Sequence, residues 1–178
     1  MPQETTGHAA RRIVHRHAAL FLARGKRAVE HGRDEELHAL RIAGKQLRYN
    51  LEFFESAIGP QAGTALGLLS HAQDVLGHVA DADAFALLLR DLERDVPPGD
   101  ARLPGIASLL AGCAAGRAHA VAEFHALWTG AGHSPYPDML AAAVAAALES
   151  PPSSSGASGG AATTSTRSPN ARENRSAL

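Results

Sequence analysis

Three breaker clusters, His31-Gly32-Arg33-Asp34, Gly59-Pro60 and Pro97-Pro98-Gly99, divide this sequence into stretches of helical length. Between them, apolar residues recur at three- and four-residue spacing, the period of an amphipathic helix. Residues 8–30 set Ile13, Leu20, Phe21 and Ala28 along one buried face. Asp34 is placed to cap the second helix, with Glu35 and Glu36 in a first turn where the helix dipole favours negative charge. That helix is expected to run to Ile58 and stop at Gly59-Pro60. The pattern predicts a third helix over 62–79, a fourth over 82–95 capped by Asp81, and a fifth over 104–128. Pro104 suits a first turn, where its missing N–H has no partner to lose. A short Ala-rich helix is expected over 138–149. Aromatic residues are only 4% of the chain, and Ala and Leu dominate a hydrophobic fraction of 45%. Sheets draw on the β-branched and aromatic residues that are scarce here. The expected fold is all-α, an antiparallel helical bundle of about five helices.

Residues 8–129 are expected to form the helical domain and 130–149 a short Ala-rich helical extension. The tail over 150–178 is Ser, Gly, Ala, Pro and Thr with almost no large apolar residue. It cannot bury enough surface to offset its ordering entropy, which predicts disorder. Cys113 is the only cysteine, so no disulfide forms within the chain and no cysteine zinc cluster is available. The opening Met-Pro-Gln-Glu-Thr-Thr-Gly lacks the basic-then-apolar order of a secretory signal. The longest uninterrupted apolar run, Met139 to Leu148, is ten residues, against about 20 for a membrane span. The expectation is a cytoplasmic protein with no membrane association.

The formal net charge of −1 hides an asymmetry. Residues 1–50 carry a balance of +5, residues 51–150 a balance of −8, and the last 28 a balance of +2. A basic first segment on a near-neutral chain suggests a local anion site rather than a uniformly basic nucleic-acid binder. The charge concentrates on the second helix. His38, Arg41, Lys45 and Arg48 follow the spacing i, i+3, i+7, i+10, within roughly 80° of arc and along about 15 Å of axis. Leu40, Leu47, Leu51 and Phe54 gather on the other side, and Ile42 and Tyr49 border the stripe. No acidic residue compensates inside it, although like charges at these spacings repel. Two readings are open: a solvated face whose long stems cover the core edge, or a ladder for phosphates. In the second, Arg supplies a planar fork, Lys a point charge and His a switchable donor. On the first helix, Arg11, His15 and Lys26 share a face with Arg12 at its margin, so two adjacent basic faces could line one groove.

The segment LHALRIAGKQLRYNLEFF (residues 37–54) fits the pattern H-x-x-R-[IV]-x-x-[KR]-x-L-R-Y-x-L-E. It resembles the hallmark helix of the CHAD family, the conserved histidine α-helical domain. QDVLG at 73–77, followed by Asp81, is similar to that family's Leu-Gly-x-x-x-Asp corner, and the fifth helix to its closing helix. The resemblance covers roughly residues 8–129. It implies a helical bundle that binds inorganic polyphosphate in a basic channel, without catalysis or cofactor. Its contacts here would be His38, Arg41, Lys45 and Arg48, with Arg11, Arg12, His15 and Lys26 as secondary candidates. A full domain of that family has two similar halves with the channel between them, and this chain resembles the C-terminal half alone. The resemblance therefore implies a truncated or split domain, a complementary half-domain, or two copies that rebuild the channel as a homodimer. Cytoplasmic placement would include the surface of polyphosphate granules. Two alternatives are an accessory module of a separate CYTH-type triphosphatase, and a module that binds phosphate backbones or helical proteins. The near-neutral charge weighs against nucleic acid.

Other constellations fit plainer roles. His71, Asp74, His78 and Asp81 repeat the stripe's spacing on the third helix, but positions two turns apart are too distant for one small ion. They read as a polar face, bridging to the basic helices, and no metal site is expected. Capping and first-turn placement account for Asp81 and Asp83 without acid–base chemistry. Cys113 and Trp128 read as core residues.

Overall fold

A computed structural model describes residues 6–59, 61–130 and 134–149. Among the described residues six helices follow one another: α1 (Thr6–His31), α2 (Asp34–Phe53), α3 (Glu55–Ile58), α4 (Ala62–Asp95), α5 (Leu103–Thr129) and α6 (Tyr136–Glu149). Among the described residues there is no strand, and the fold is an all-α bundle. The predicted disorder of the tail falls on residues outside those described.

α1 ends where Gly32 takes a left-handed φ of 62° and donates its N–H to the Ala28 carbonyl at 2.9 Å. That closure reverses the chain, so α2 returns antiparallel against α1. Asp34 is not the cap of α2. Arg33 occupies the capping position in extended conformation, and Asp34 is the first helical residue. Three carboxylates consequently stand in the first turn, where the dipole stabilises them. α2 stops earlier than its periodicity suggests. Phe54 leaves helical geometry, and the single turn of α3 then swings Ile58 fully into the core while Phe53 stays exposed.

The largest departure from expectation is α4. Residues 62–79 and 82–95 are one helix of 34 residues, about 51 Å long at the standard rise. The corner expected at Gly77 to Asp81, and the capping role of Asp81, are absent. No Gly or Pro lies between Val79 and Asp95 to stop the helix, and α5 packs along both halves of it.

One core binds α1, α2, α4, the C-terminal part of α5, and α6. Val14 and Phe21, Leu40 and Leu47, Leu69 and Leu76, Phe124 and Leu140 are all fully or almost fully buried in it. Trp128 sits at its centre, with ring centroids 5.8 Å from Phe21, 5.6 Å from Phe124 and 5.5 Å from Tyr136. Tyr136 donates its hydroxyl hydrogen to the Leu68 carbonyl at 3.1 Å, and burial pushes its phenol above the ordinary range. The backbone of Gly25 lies where any side chain would run into the Trp128 indole. Through Tyr136, Leu140, Val144 and Ala147, α6 belongs to this core. The domain therefore extends to Glu149, and residues 136–149 are not an appendage.

Beyond the core, α4 and α5 continue as a hairpin held by a small second cluster of Leu89, Val96 and Ile106. Cys113 packs half-buried against that cluster. The longest uninterrupted apolar run, Met139 to Leu148, falls in α6, whereas α5 is by overall length and composition apolar enough to cross a bilayer. Only 11% of its most apolar window is buried.

Candidate anion-binding site

The face of α2 divides as its periodicity predicts. Leu37, Leu40, Leu47 and Leu51 are buried, Arg41, Lys45 and Arg48 are half-buried, and His38 is exposed. Gly44 is buried and brings α2 close to α1. A Cβ there would sit 3.0 Å from Phe21 Cε2. Ile42 and Tyr49 border the stripe and are exposed. The half-burial of the three permanent cations follows from their position at the core edge, where the stems pack and the heads reach water.

His38 and Arg41 open into a cavity of ≈ 270 Å³ between α2 and α4, floored by Leu37, Leu76 and Val79. Two carboxylates, Asp34 and Asp83, stand in the same wall. Left alone, they would repel an anion. Arg117 of α5 reaches across to hold both, donating Nε–H to Asp83 Oδ1 at 2.7 Å and pairing through Nη2 with Asp34 Oδ1. Burial works against the Arg117 charge, but the two carboxylates overcome it and raise its pKa above the ordinary value. One guanidinium thereby offsets half of the charge that the two carboxylates bring to this end of the cavity. Arg117 had not been singled out in the sequence. The one available signal was that it is the only Lys or Arg in α5.

The stripe is less bare than its spacing suggests. One turn past Arg48, Glu52 comes to 3.5 Å of the Arg48 Nε. The Arg48 guanidinium also lies 5.5 Å above the Tyr49 ring. A pair this loose leaves the outer guanidinium edge for a stronger acceptor such as a phosphate oxygen.

The first-helix candidates do not join this surface. α1 buries Val14, Phe21 and Ala28, which splits its two flanks between different neighbours. The flank toward α2 is marked by Arg27 and His31, 3.4 and 3.8 Å from Glu36. His15 lies on the other flank, in a groove against Ala141, Val144 and Leu148 of α6. Lys26 pairs loosely with Glu30 of its own helix at 3.8 Å. Arg11 is half-buried and Arg12 exposed, and neither is without a partner. The groove expected between two basic helix faces is therefore not formed by Arg11, Arg12, His15 and Lys26, because the core takes the side of α1 that would have to turn.

His71, Asp74, His78 and Asp81 are exposed on the opposite side of α4 from this cavity. Among the described residues, no three His, Cys, Asp or Glu side chains come together as a metal site would require.

A helical bundle whose second helix carries this ladder agrees with a family match. The CHAD domain model matches residues 2–90, half of the chain. The chain belongs to the CHAD family. The matched CHAD region takes in α1, α2, α3 and most of α4, and so contains every residue of the stripe. It ends inside α4 and does not reach α5 or Arg117. No curated protein matches the chain.

Proposed function

We propose that this CHAD protein binds inorganic polyphosphate along α2 without turning it over. Arg41, Lys45 and Arg48 supply permanent charge, and His38 adds a donor at the mouth of the α2–α4 cavity. The carrying observation is that Arg117 ties back both carboxylates beside His38 and Arg41, which leaves the ladder net positive where a polyanion would lie. A flexible chain of phosphates presents the charges needed to span about 15 Å of helix, and releasing its condensed counterions drives association. Membership of a family associated with polyphosphate supports the same ligand. Arg11, Arg12, His15 and Lys26 are not part of this proposal: His15 faces α6 and Lys26 pairs with Glu30 of its own helix.

The test is titration of long-chain polyphosphate into the full chain and into Arg41→Ala/Arg48→Ala. At least about tenfold weaker binding is expected from the loss of two charge-assisted contacts. Equal affinity would overturn the assignment. Phosphate release from tripolyphosphate in the presence of magnesium would overturn the noncatalytic part.

A further inference from the structure

Along one face of α4, a line of exposed residues is spaced at alternating steps of three and four, within a stretch over 81–95 that is mostly exposed. They begin with His71, Asp74, His78 and Asp81, and continue with Phe85, Leu88, Leu92 and Asp95. This is the spacing of a coiled-coil seam, and a seam with that period faces a partner helix along its length. Among the described residues nothing covers it. Phe85 is 48% exposed, Leu88 62% and Leu92 47%, and on the adjoining face of α5 Leu109 is 52% exposed. Side chains of this size, clustered on one surface of a hairpin, mark an interaction site.

The neighbouring α5 leaves room for an approaching helix. Phe85, Leu109 and Cys113 line an open groove of ≈ 560 Å³ between the two helices. A Cβ added at Gly112 or Gly116 on its wall would meet nothing within 4 Å. We propose that the α4–α5 hairpin is a homodimerisation element, in which the α4 seam of one copy packs antiparallel on the same seam of a second copy.

The charge order along the seam selects this occupant. In parallel register, Asp81, His78 and Asp95 would each face themselves, and like groups would stack at every polar layer. In antiparallel register, with the two-fold axis between Phe85 and Leu88, Phe85 meets Leu88 of the other copy. His78 then meets Asp95. Leu92 meets the Asp81 layer, where the carboxylate can remain in water at the rim. Residues 150–178 offer little to fill the groove, since they contain one large apolar residue, Leu178. A bilayer is the other apolar environment that α5 could suit by length and composition. Against it, Arg117 anchors the middle of α5 to Asp83 and Asp34, and Ala120, Phe124 and Trp128 anchor its end in the core. The seam lies on the side of α4 away from Asp83 and Val79, so pairing leaves the α2 stripe open. The proposal stands independently of the polyphosphate reading, because its test contains no polyphosphate.

Sedimentation equilibrium of the full chain should give twice the chain mass, and Leu88→Glu/Leu92→Glu should lose the dimer while keeping its helical circular dichroism. Both side chains are about half exposed, so the exchange leaves the core intact. A second measurement fixes the register. With Cys113→Ser in both chains, a mixture of His78→Cys and Asp95→Cys should oxidise to a mixed disulfide, and neither should form a disulfide efficiently alone. A monomeric wild type overturns the proposal, as does a dimer that survives the double glutamate exchange or a dimer that forms no mixed disulfide. Association with neutral phosphatidylcholine vesicles by a chain that is otherwise monomeric would assign the surface to a membrane instead.

Discussion

Three glycines inside helices provide a graded test of the packing, because the same substitution should change sign from one to the next. In a helix interior Ala is favoured over Gly by about 0.5–1 kcal/mol, through lost backbone freedom in the unfolded chain. At Gly77 a Cβ would meet nothing within 4 Å, so Gly77→Ala should realise that gain and stabilise by about 0.5–1 kcal/mol. At Gly44 the Cβ would lie 3.0 Å from Phe21 Cε2 and 3.5 Å from Cδ2. Phe21 must then shift by a few tenths of an ångström, and gain and strain should nearly cancel. At Gly25 the Cβ would overlap the Trp128 ring itself. The indole has little room to retreat, since Phe21, Phe124 and Tyr136 surround it with centroids within 6 Å. Overpacking of this kind costs about 1–3 kcal/mol. With the upper end expected against a caged indole, the net for Gly25→Ala is a loss of about 2 kcal/mol. Urea unfolding followed by circular dichroism measures all three, with the midpoint shift read at unchanged slope. The ordering Gly77→Ala above wild type, Gly44→Ala near it and Gly25→Ala below it is expected. A Gly25→Ala protein as stable as wild type would refute the claim that the Trp128 indole leaves no room for a side chain at Gly25.

Polyphosphate binding should weaken steeply with salt, and removing Arg41 and Arg48 should flatten the log-affinity against log-salt slope by about 1–2; an unchanged slope would mean these groups touch no phosphate. Arg117→Met should lower stability by about 1 kcal/mol, discounted because Asp34 and Asp83 are largely solvated. The same change should also weaken polyphosphate binding, with Asp34→Asn/Asp83→Asn in that background restoring it, which equilibrium titration reads directly. Tyr136 has a folded-state pKa raised by burial, so the stability it contributes is fully present below about pH 10, the unfolded value, and is lost as pH rises from there toward the folded value. Tyr136→Phe should lose about 1 kcal/mol at neutral pH with the hydrogen bond to Leu68, yet unfold less steeply between pH 10 and 12 than wild type; parallel alkaline profiles would contradict the buried phenol.

The register of α2 was determined by the sequence alone. Leu40, Leu47 and Leu51 are buried, and the positions of His38, Arg41, Lys45 and Arg48 beside them follow from a helical period that neighbouring residues set. The helical class and the family were legible for the same reason, since both rest on local pattern. Tertiary structure decided what local pattern could not. α4 runs through Asp81 because α5 lies along it, and α6 became core because Tyr136 and Leu140 found Phe21 and Trp128 across the bundle. The two flanks of α1 have similar basic composition, and only packing determined that His15 faces α6 while Arg27 faces α2. Arg117 is 83 residues from Asp34 and 34 from Asp83. No periodicity connects positions that far apart, so the residue that leaves the stripe positive became visible only when three helices met.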